Sequence, residues 1–397
     1  MTVLALSSCL PPELLLDSGG GKAGSAGAGG SPSQDGGEGA GGKASAAGGG
    51  QAGDKPMGGG GANSPGPGGA GGEGPGPYPY DPSNFEPGTV APGVDVVLDC
   101  GTSRFDSTTL VFDNWCDRPT PAVAVVEQAN GVEVAVLSMR SFMLASNAFL
   151  NLEGGRPVLF AVYGDATIAS EINAGGSLAT PGPGGDQACT DSSGGAGGGN
   201  VSTGASGGGG GGFGTNGAPG GSGDGMGGPG LAGVARGTED LRPLVGGCSG
   251  GTGGACPTSP GGAGGGAIQF SAAGALVLSA EALLRISGGN GANGCGQEGG
   301  GGGGGTGGAV LLEGATVEIQ LGARITAHGG KGGNGAPVNM GGPGGAGGTG
   351  AAAAQAGSNS LNGAGGGGGG VGRIRINGLS SCTLDGTSSP AASVSCP

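Results

Sequence analysis

Few residues in this chain of 397 stand in a pattern that could do chemistry, and the first to weigh are nine cysteines: Cys9, Cys100, Cys116, Cys189, Cys248, Cys256, Cys295, Cys382 and Cys396. No two form a Cys-x-x-Cys pair and the single histidine is His328, so zinc-binding spacing is absent. Several cysteines stand in polar Gly/Ser sequence, which suits disulfides in an oxidising compartment better than buried thiols. With Cys9 set aside an even number remains. Short separations suggest Cys100–Cys116, Cys248–Cys256 and Cys382–Cys396, which leaves Cys189 for Cys295, although many other connectivities exist.

The other reactive types seldom stand in a catalytic pattern. Ser206 and Ser249 each fit Gly-x-Ser-x-Gly. A nucleophile elbow also needs a preceding strand, a following helix and a histidine partner, and neither serine has that context. His328 reads as a solvated turn residue. Gly223-Asp224-Gly225 lacks the Asp periodicity of calcium-binding repeats. Asp165 and Glu171, with Glu133 and Glu153 on preceding strands, are the acids a polysaccharide lyase or glycosidase would use. Such a pair needs carboxylates about 5–10 Å apart in a cleft, and solvated outward positions are the commoner case. These residues support no catalytic, cofactor or metal assignment.

Composition narrows the partners. Glycine supplies 113 residues, charged residues 11% and aromatics 3%. The net charge of −14 with scattered Lys and Arg argues against nucleic acid, whose phosphates need clustered bases. Phe105, Phe112, Trp115, Phe142, Phe149, Phe160 and Tyr163 localise the expected core. No apolar run approaches the ~20 residues of a membrane helix.

Residues 1–9 end in Leu6-Ser7-Ser8-Cys9, which resembles a bacterial lipobox. The resemblance implies a lipid on Cys9, so any membrane attachment would be through that anchor. The basic region and full apolar run of a signal peptide do not precede it, which leaves two alternatives: a start upstream of Met1, or a chance match to the lipobox. Residues 10–93 are Gly, Ala, Ser and Pro with little apolar periodicity and read as a disordered linker.

From Val94 the sequence turns to short β-rich runs. Residues 94–130 are the expected N-terminal cap and 131–397 an expected right-handed parallel β-helix, an all-β solenoid. Its units are Gly155–Phe160 followed by Ala166–Ala169 and Glu171–Gly176; Gly266-Ala267-Ile268-Gln269-Phe270 followed by Ala275–Leu278 and Leu283–Gly289; Gly308–Leu312 followed by Thr316–Ile319 and Ala323–Thr326; and Val371–Ile376 followed by Cys382–Leu384. Up to three strands per unit of about 20 residues is solenoid periodicity. Residues 377–397 are the expected closing cap. In Arg373-Ile374-Arg375-Ile376 the isoleucines should face inward.

Glycine-rich insertions at 175–266, 288–308 and 327–370 should leave the solenoid on one side. They carry period three: from Gly329, glycine recurs at 332, 335, 341, 344, 347 and 350. Two alternatives stay open, a polyglycine-II-like bundle with three residues per turn or disordered loops.

Arg156-Pro157-Val158-Leu159-Phe160 with Ile172-Asn173-Ala174-Gly175-Gly176, then Ala267-Ile268-Gln269-Phe270, Ala309-Val310-Leu311-Leu312-Glu313 and Gly372-Arg373-Ile374-Arg375-Ile376-Asn377, resembles the glycine-rich lipoproteins abundant in myxobacteria. The resemblance spans roughly residues 130–378. It implies an exported protein at the outer membrane or cell surface, or outside the cell, and carries over no catalytic residue. The glycine tracts are also similar to mycobacterial PGRS regions, without the PE helical domain. The reading that follows is a surface-associated structural or adhesion-type protein without catalysis, its partner an unidentified surface or matrix component such as polysaccharide. A polysaccharide-active β-helix enzyme is the alternative.

Overall fold

A computed structural model describes residues 77–397 apart from 200–203, 226, 258 and 337–339. The described residues are all-β, with curled, parallel-rich sheets and no α-helix.

The first strands are β1 (Asp95–Leu98), β2 (Gly101–Asp106), β3 (Val111–Asp113) and β4 (Ala122–Glu127). Then come β5 (Glu133–Met139), β6 (Ser141–Leu144), β7 (Ala148–Glu153), β8 (Val158–Val162), β9 (Ala166–Ile168) and β10 (Glu171–Asn173). After a long glycine tract follow β11 (Ala267–Leu278), β12 (Leu283–Arg285), β13 (Ala309–Ile319) and β14 (Arg324–Thr326). The chain finishes with β15 (Arg373–Leu384), β16 (Thr387–Ser389) and β17 (Ser393–Ser395).

Two sheets result. In the larger, β1-β6-β9-β11-β13-β15-β17 run side by side, with β5 and β8 extending it and β4 on an edge. The smaller has the order β16-β14-β12-β10-β7-β2-β3. Registers agree between them: Ile268 pairs with Val310 and Val310 with Ile374, while Leu284 pairs with Ile325 and Ile325 with Ser388. The period-two pattern is the reason. Ile268, Phe270, Leu276 and Leu278 point into the space between the sheets, as do Val310, Leu312, Val317 and Ile319. Phe160 and Phe270, paired in register, stack with ring centroids 4.1 Å apart. Ile374 and Ile376 are buried and Arg373 and Arg375 half-buried.

Several boundaries differ from the sequence reading. The runs expected as separate strands at Ala267–Phe270 and Ala275–Leu278 are one strand, bent where the register shifts between Ala272 and Ala275. β13 does the same between Gly314 and Thr316. In the expected cap, β1 and β2 join the parallel ladders with β6 and β7; only β3 and β4 lie antiparallel at edges. Phe112 and Trp115 cover the end of the core beside Phe105, with Phe112–Trp115 centroids 4.6 Å apart. The expected linker to residue 93 ends earlier, because Tyr78, Phe85 and Val90 are buried against the larger sheet.

The glycine tracts form a hydrogen-bonded bundle. Residues 204–212, 299–308 and 363–372 are buried throughout. Each successive residue donates to a different neighbour, with period three. Gly207 and Gly210 donate to Gly221 and Ala218, Gly208 and Gly211 to Gly301 and Gly304, and Gly209 and Gly212 to Gly195 and Ser192. The three buried tracts also close a ring: Gly208 donates to Gly301, Gly301 to Ala364 and Ala364 to Ala205. Gly308 and Gly372 lead directly into β13 and β15. Glycine is required here for space: a Cβ on Gly303 would lie 1.8 Å from the Gly209 carbonyl oxygen.

Four disulfides join Cys100–Cys116, Cys189–Cys248, Cys256–Cys295 and Cys382–Cys396. The expected Cys248–Cys256 and Cys189–Cys295 pairs are therefore corrected. Tracts 250–256 and 295–303 lie alongside each other, Gly300 donating to Gly254 and Gly303 to Gly251, which brings Cys256 to Cys295. Neighbours in the bundle, not in the chain, decide the pairing. The disulfides point to an oxidising, extracellular or exported environment. Among the described residues no helix is long and apolar enough to cross a membrane.

Candidate functional site

The larger sheet carries a second apolar layer on its far side. Val134, Val136, Leu159, Ala161, Ala267, Ala309 and Leu311 face away from the inter-sheet core, so this part of the sheet is covered on both faces. The cover has two parts. One is the strap Tyr78–Val90; the other is Phe213 with Leu241, Leu244 and Val245. Burying Tyr78, Phe85 and Val90 contributes roughly 1.5–3 kcal/mol each. Tyr78 O–H donates to Ser271 O at 3.1 Å and Tyr80 O–H to Ala272 O at 2.9 Å. Burial pushes both phenols well above the ordinary tyrosine range, with the Glu313 charge adding to it.

A polar cluster lies under the strap, at a column of the larger sheet where buried and half-buried polar residues succeed each other. Ser271 pairs with Glu313, and Glu313 with Asn377. Glu313 is 2% exposed. Its Oε1 accepts from Ser83 Oγ at 2.6 Å and Asn377 Nδ2 at 3.1 Å. Its Oε2 accepts from Ser83 N at 2.9 Å, Ser271 Oγ at 2.9 Å and Gln269 Nε2 at 3.1 Å. All five donors are uncharged, and together they offset the desolvation of a buried carboxylate.

Gln269 is fully buried and its amide has one sensible orientation. Nε2 faces Ser83 O at 2.6 Å, Ser271 Oγ at 2.9 Å and Glu313 Oε2, while Oε1 accepts from Asn84 Nδ2 at 2.8 Å. The carbonyl and the carboxylate are acceptors only, so the nitrogen must face them. Arg242 Nε donates to Ser83 Oγ at 2.8 Å. The cluster therefore holds two hydroxyls, a primary amide and a carboxylate away from water. Ser271 Oγ touches both the amide and the carboxylate, while Ser83 Oγ and Gln269 Nε2 meet the same carboxylate and Gln269 Nε2 meets the Ser83 backbone carbonyl.

The acids expected from sequence are not brought together in this way. Asp165 Oδ1 accepts from Ala275 N at 2.7 Å. Glu171 lies 3.9 Å from Arg285, Glu133 2.7 Å from Arg156 Nε, and Glu153 pairs with Arg104. Each carboxylate thus has its own partner on a neighbouring strand or loop. Ser206 Oγ donates to Gly227 O at 2.9 Å, and Ser249 lies in the bundle. His328 Nε2 is 2.7 Å from Ser389 Oγ, and burial holds its pKa below the usual value. Among the described residues no three His, Cys, Asp or Glu side chains converge as metal ligands. Cys9 lies outside the described residues.

Sequence reasoning missed Glu313, Gln269 and Ser83. Aligning the repeat would have shown Ser271, Glu313 and Asn377 as one polar column, and Tyr78-Pro79-Tyr80 marked the strap inside an otherwise aromatic-poor linker. No protein-family model, curated protein or solved structure matches the chain.

Proposed function

We propose that this is an exported, surface-associated structural or adhesion-type protein, similar to the glycine-rich lipoproteins of myxobacteria, anchored through Cys9 and presenting a right-handed parallel β-helix with a polyglycine-II-type outgrowth. The matched registers of the two sheets support the solenoid. The period-three bonding of the tracts supports the polyglycine II assignment, since that conformation has three residues per turn.

The observation that carries the reading is how the bundle presents its surface. Inner tracts are buried, and along the outer ones every third residue is exposed: Asn290 and Asn293, Lys331 and Asn334, Asn216, Pro219 and Ser222, Leu231 and Val234. Asparagine side chains stitch the outer tracts. Asn290 Oδ1 accepts from Lys331 N at 2.8 Å, Asn293 Oδ1 from Asn334 N at 2.9 Å and Asn216 Oδ1 from Ala235 N at 2.7 Å. Side chains in one row then recur about every 9 Å on a rigid face, which suits a periodic partner such as a polysaccharide.

Labelling intact producing cells with a membrane-impermeant amine reagent tests surface display. Lys331 is exposed, and its modification on intact cells is the expected result. Modification only after lysis contradicts the proposal.

A further inference from the structure

We propose that Ser83 and Gln269 become joined by an intramolecular ester, formed by the protein itself with release of ammonia. The inference rests on the geometry under the strap and is independent of surface display.

The parts of an acyl transfer are all present. Ser83 Oγ is the nucleophile, and its proton faces Glu313 Oε1 at 2.6 Å, within the reach of a general base. Arg242 Nε, 2.8 Å from the same oxygen, stabilises the charge that develops there. The Gln269 amide is the acceptor. Its carbonyl oxygen is held by Asn84 Nδ2 at 2.8 Å, the contact an oxyanion needs. Its leaving nitrogen lies 3.1 Å from Glu313 Oε2. One carboxylate therefore touches the nucleophile through one oxygen and the leaving group through the other. Asn84 itself adopts φ 64°, a conformation that Asn tolerates better than most non-glycine residues.

The step balances without a co-reactant. Ser83 Oγ attacks Gln269 Cδ as its proton passes to Glu313. The tetrahedral oxyanion on Gln269 Oε1 collapses, and the Cδ–Nε2 bond breaks. Glu313 turns its carboxyl group and returns the proton to Nε2, and ammonia departs. The products are a Ser–O–C(=O)–Gln ester and the carboxylate as it began. Holding the groups together replaces a bimolecular step by an intramolecular one. Ser83 is 1% exposed and Gln269 0%, so little water reaches the ester to hydrolyse it. Loss of ammonia to solvent makes the reaction directional.

The consequence is mechanical. Tyr78–Val90 is where the chain from the N-terminal side enters the sheets, and the ester would join it covalently to β11, a central strand of the larger sheet.

The test is peptide mapping of the full chain, folded, then denatured, reduced and digested with trypsin. The expected result is a cross-linked pair of the peptides holding Ser83 and Gln269, lighter than their sum by about 17 Da, the mass of the ammonia lost in acyl transfer. Mild alkali should separate the pair and leave Glu at position 269. Ser83→Ala should abolish the pair, and Glu313→Gln should slow its formation by about 10²-fold or more. Two separate peptides with Ser83 and Gln269 unmodified in the folded wild-type protein would overturn the proposal. So would a link from Ser83 to Glu313 with loss of water. The wild-type result decides the matter even where a variant fails to fold.

Discussion

Gly208 donates its amide to the carbonyl of Gly301 at 2.9 Å, and Gly211 repeats the contact with Gly304 at 3.0 Å. Two tracts far apart in sequence thus lie parallel, in register, with no side chain between them. The bundle gains little per residue. A hydrogen bond contributes about 0.5–1.5 kcal/mol, and ordering a residue's backbone costs about 1–2 kcal/mol. Its persistence depends on what holds its ends, namely the strands it feeds and the two disulfides within it.

Close approach makes the inner glycines irreplaceable. Gly303→Ala puts a methyl group against the Gly209 carbonyl and should destabilise the protein by about 3 kcal/mol or more. Gly228→Ala meets nothing within 4 Å and should change stability by less than about 0.5 kcal/mol. Paired denaturant titrations check both; equal effects would contradict the packing argument.

Disulfide mapping gives a separate check. Trypsin should release the peptide holding Cys248 and Cys256 covalently tied to those holding Cys189 and Cys295 until reductant is added. A freely released Cys248–Cys256 peptide would restore the local pairing. Replacing Cys256 and Cys295 together by Ser should lower stability by about 2–4 kcal/mol, since the bridge closes a long loop.

The strap should behave as part of the sheet. Phe85→Ala removes a buried ring from the outer layer and should cost about 3–5 kcal/mol of strap docking. Limited proteolysis reads this as faster cleavage between Tyr78 and Val90, with β11 and β13 still protected.

His328 gives the fold a defined response to acid. Burial lowers its folded pKa below the unfolded value of about 6.5, so the unfolded chain takes up the proton first. Stability is then complete above that value and falls as pH drops through it toward the folded pKa. His328→Gln should flatten this part of the stability–pH curve, measured by thermal unfolding between pH 7 and about pH 5. It is the chain's only histidine, so no other imidazole contributes.

What could be read in advance follows from where information sits in the chain. Ile268, Val310 and Ile374 announce themselves because each emerges from glycine into an apolar alternation, and stacking requires them to repeat. The period of glycine at 329, 332 and 335 was equally visible. Its order was not, because near-balanced backbone energetics leave the outcome to tertiary neighbours. The pairing of Cys189 with Cys248 depends on which tracts lie adjacent in the bundle. Glu313 stood as one polar residue at the end of an apolar strand, and its role appears only when Ser83 is folded over it.

The most direct test of the ordered bundle is amide hydrogen exchange, residue by residue, in the native protein. The account predicts that residues 204–212, 299–308 and 363–372 are protected to a degree comparable with Ile268, Val310 and Ile374 in the strands. Exchange of these glycine amides at the rate of an unstructured chain, with the strands still protected, would contradict it.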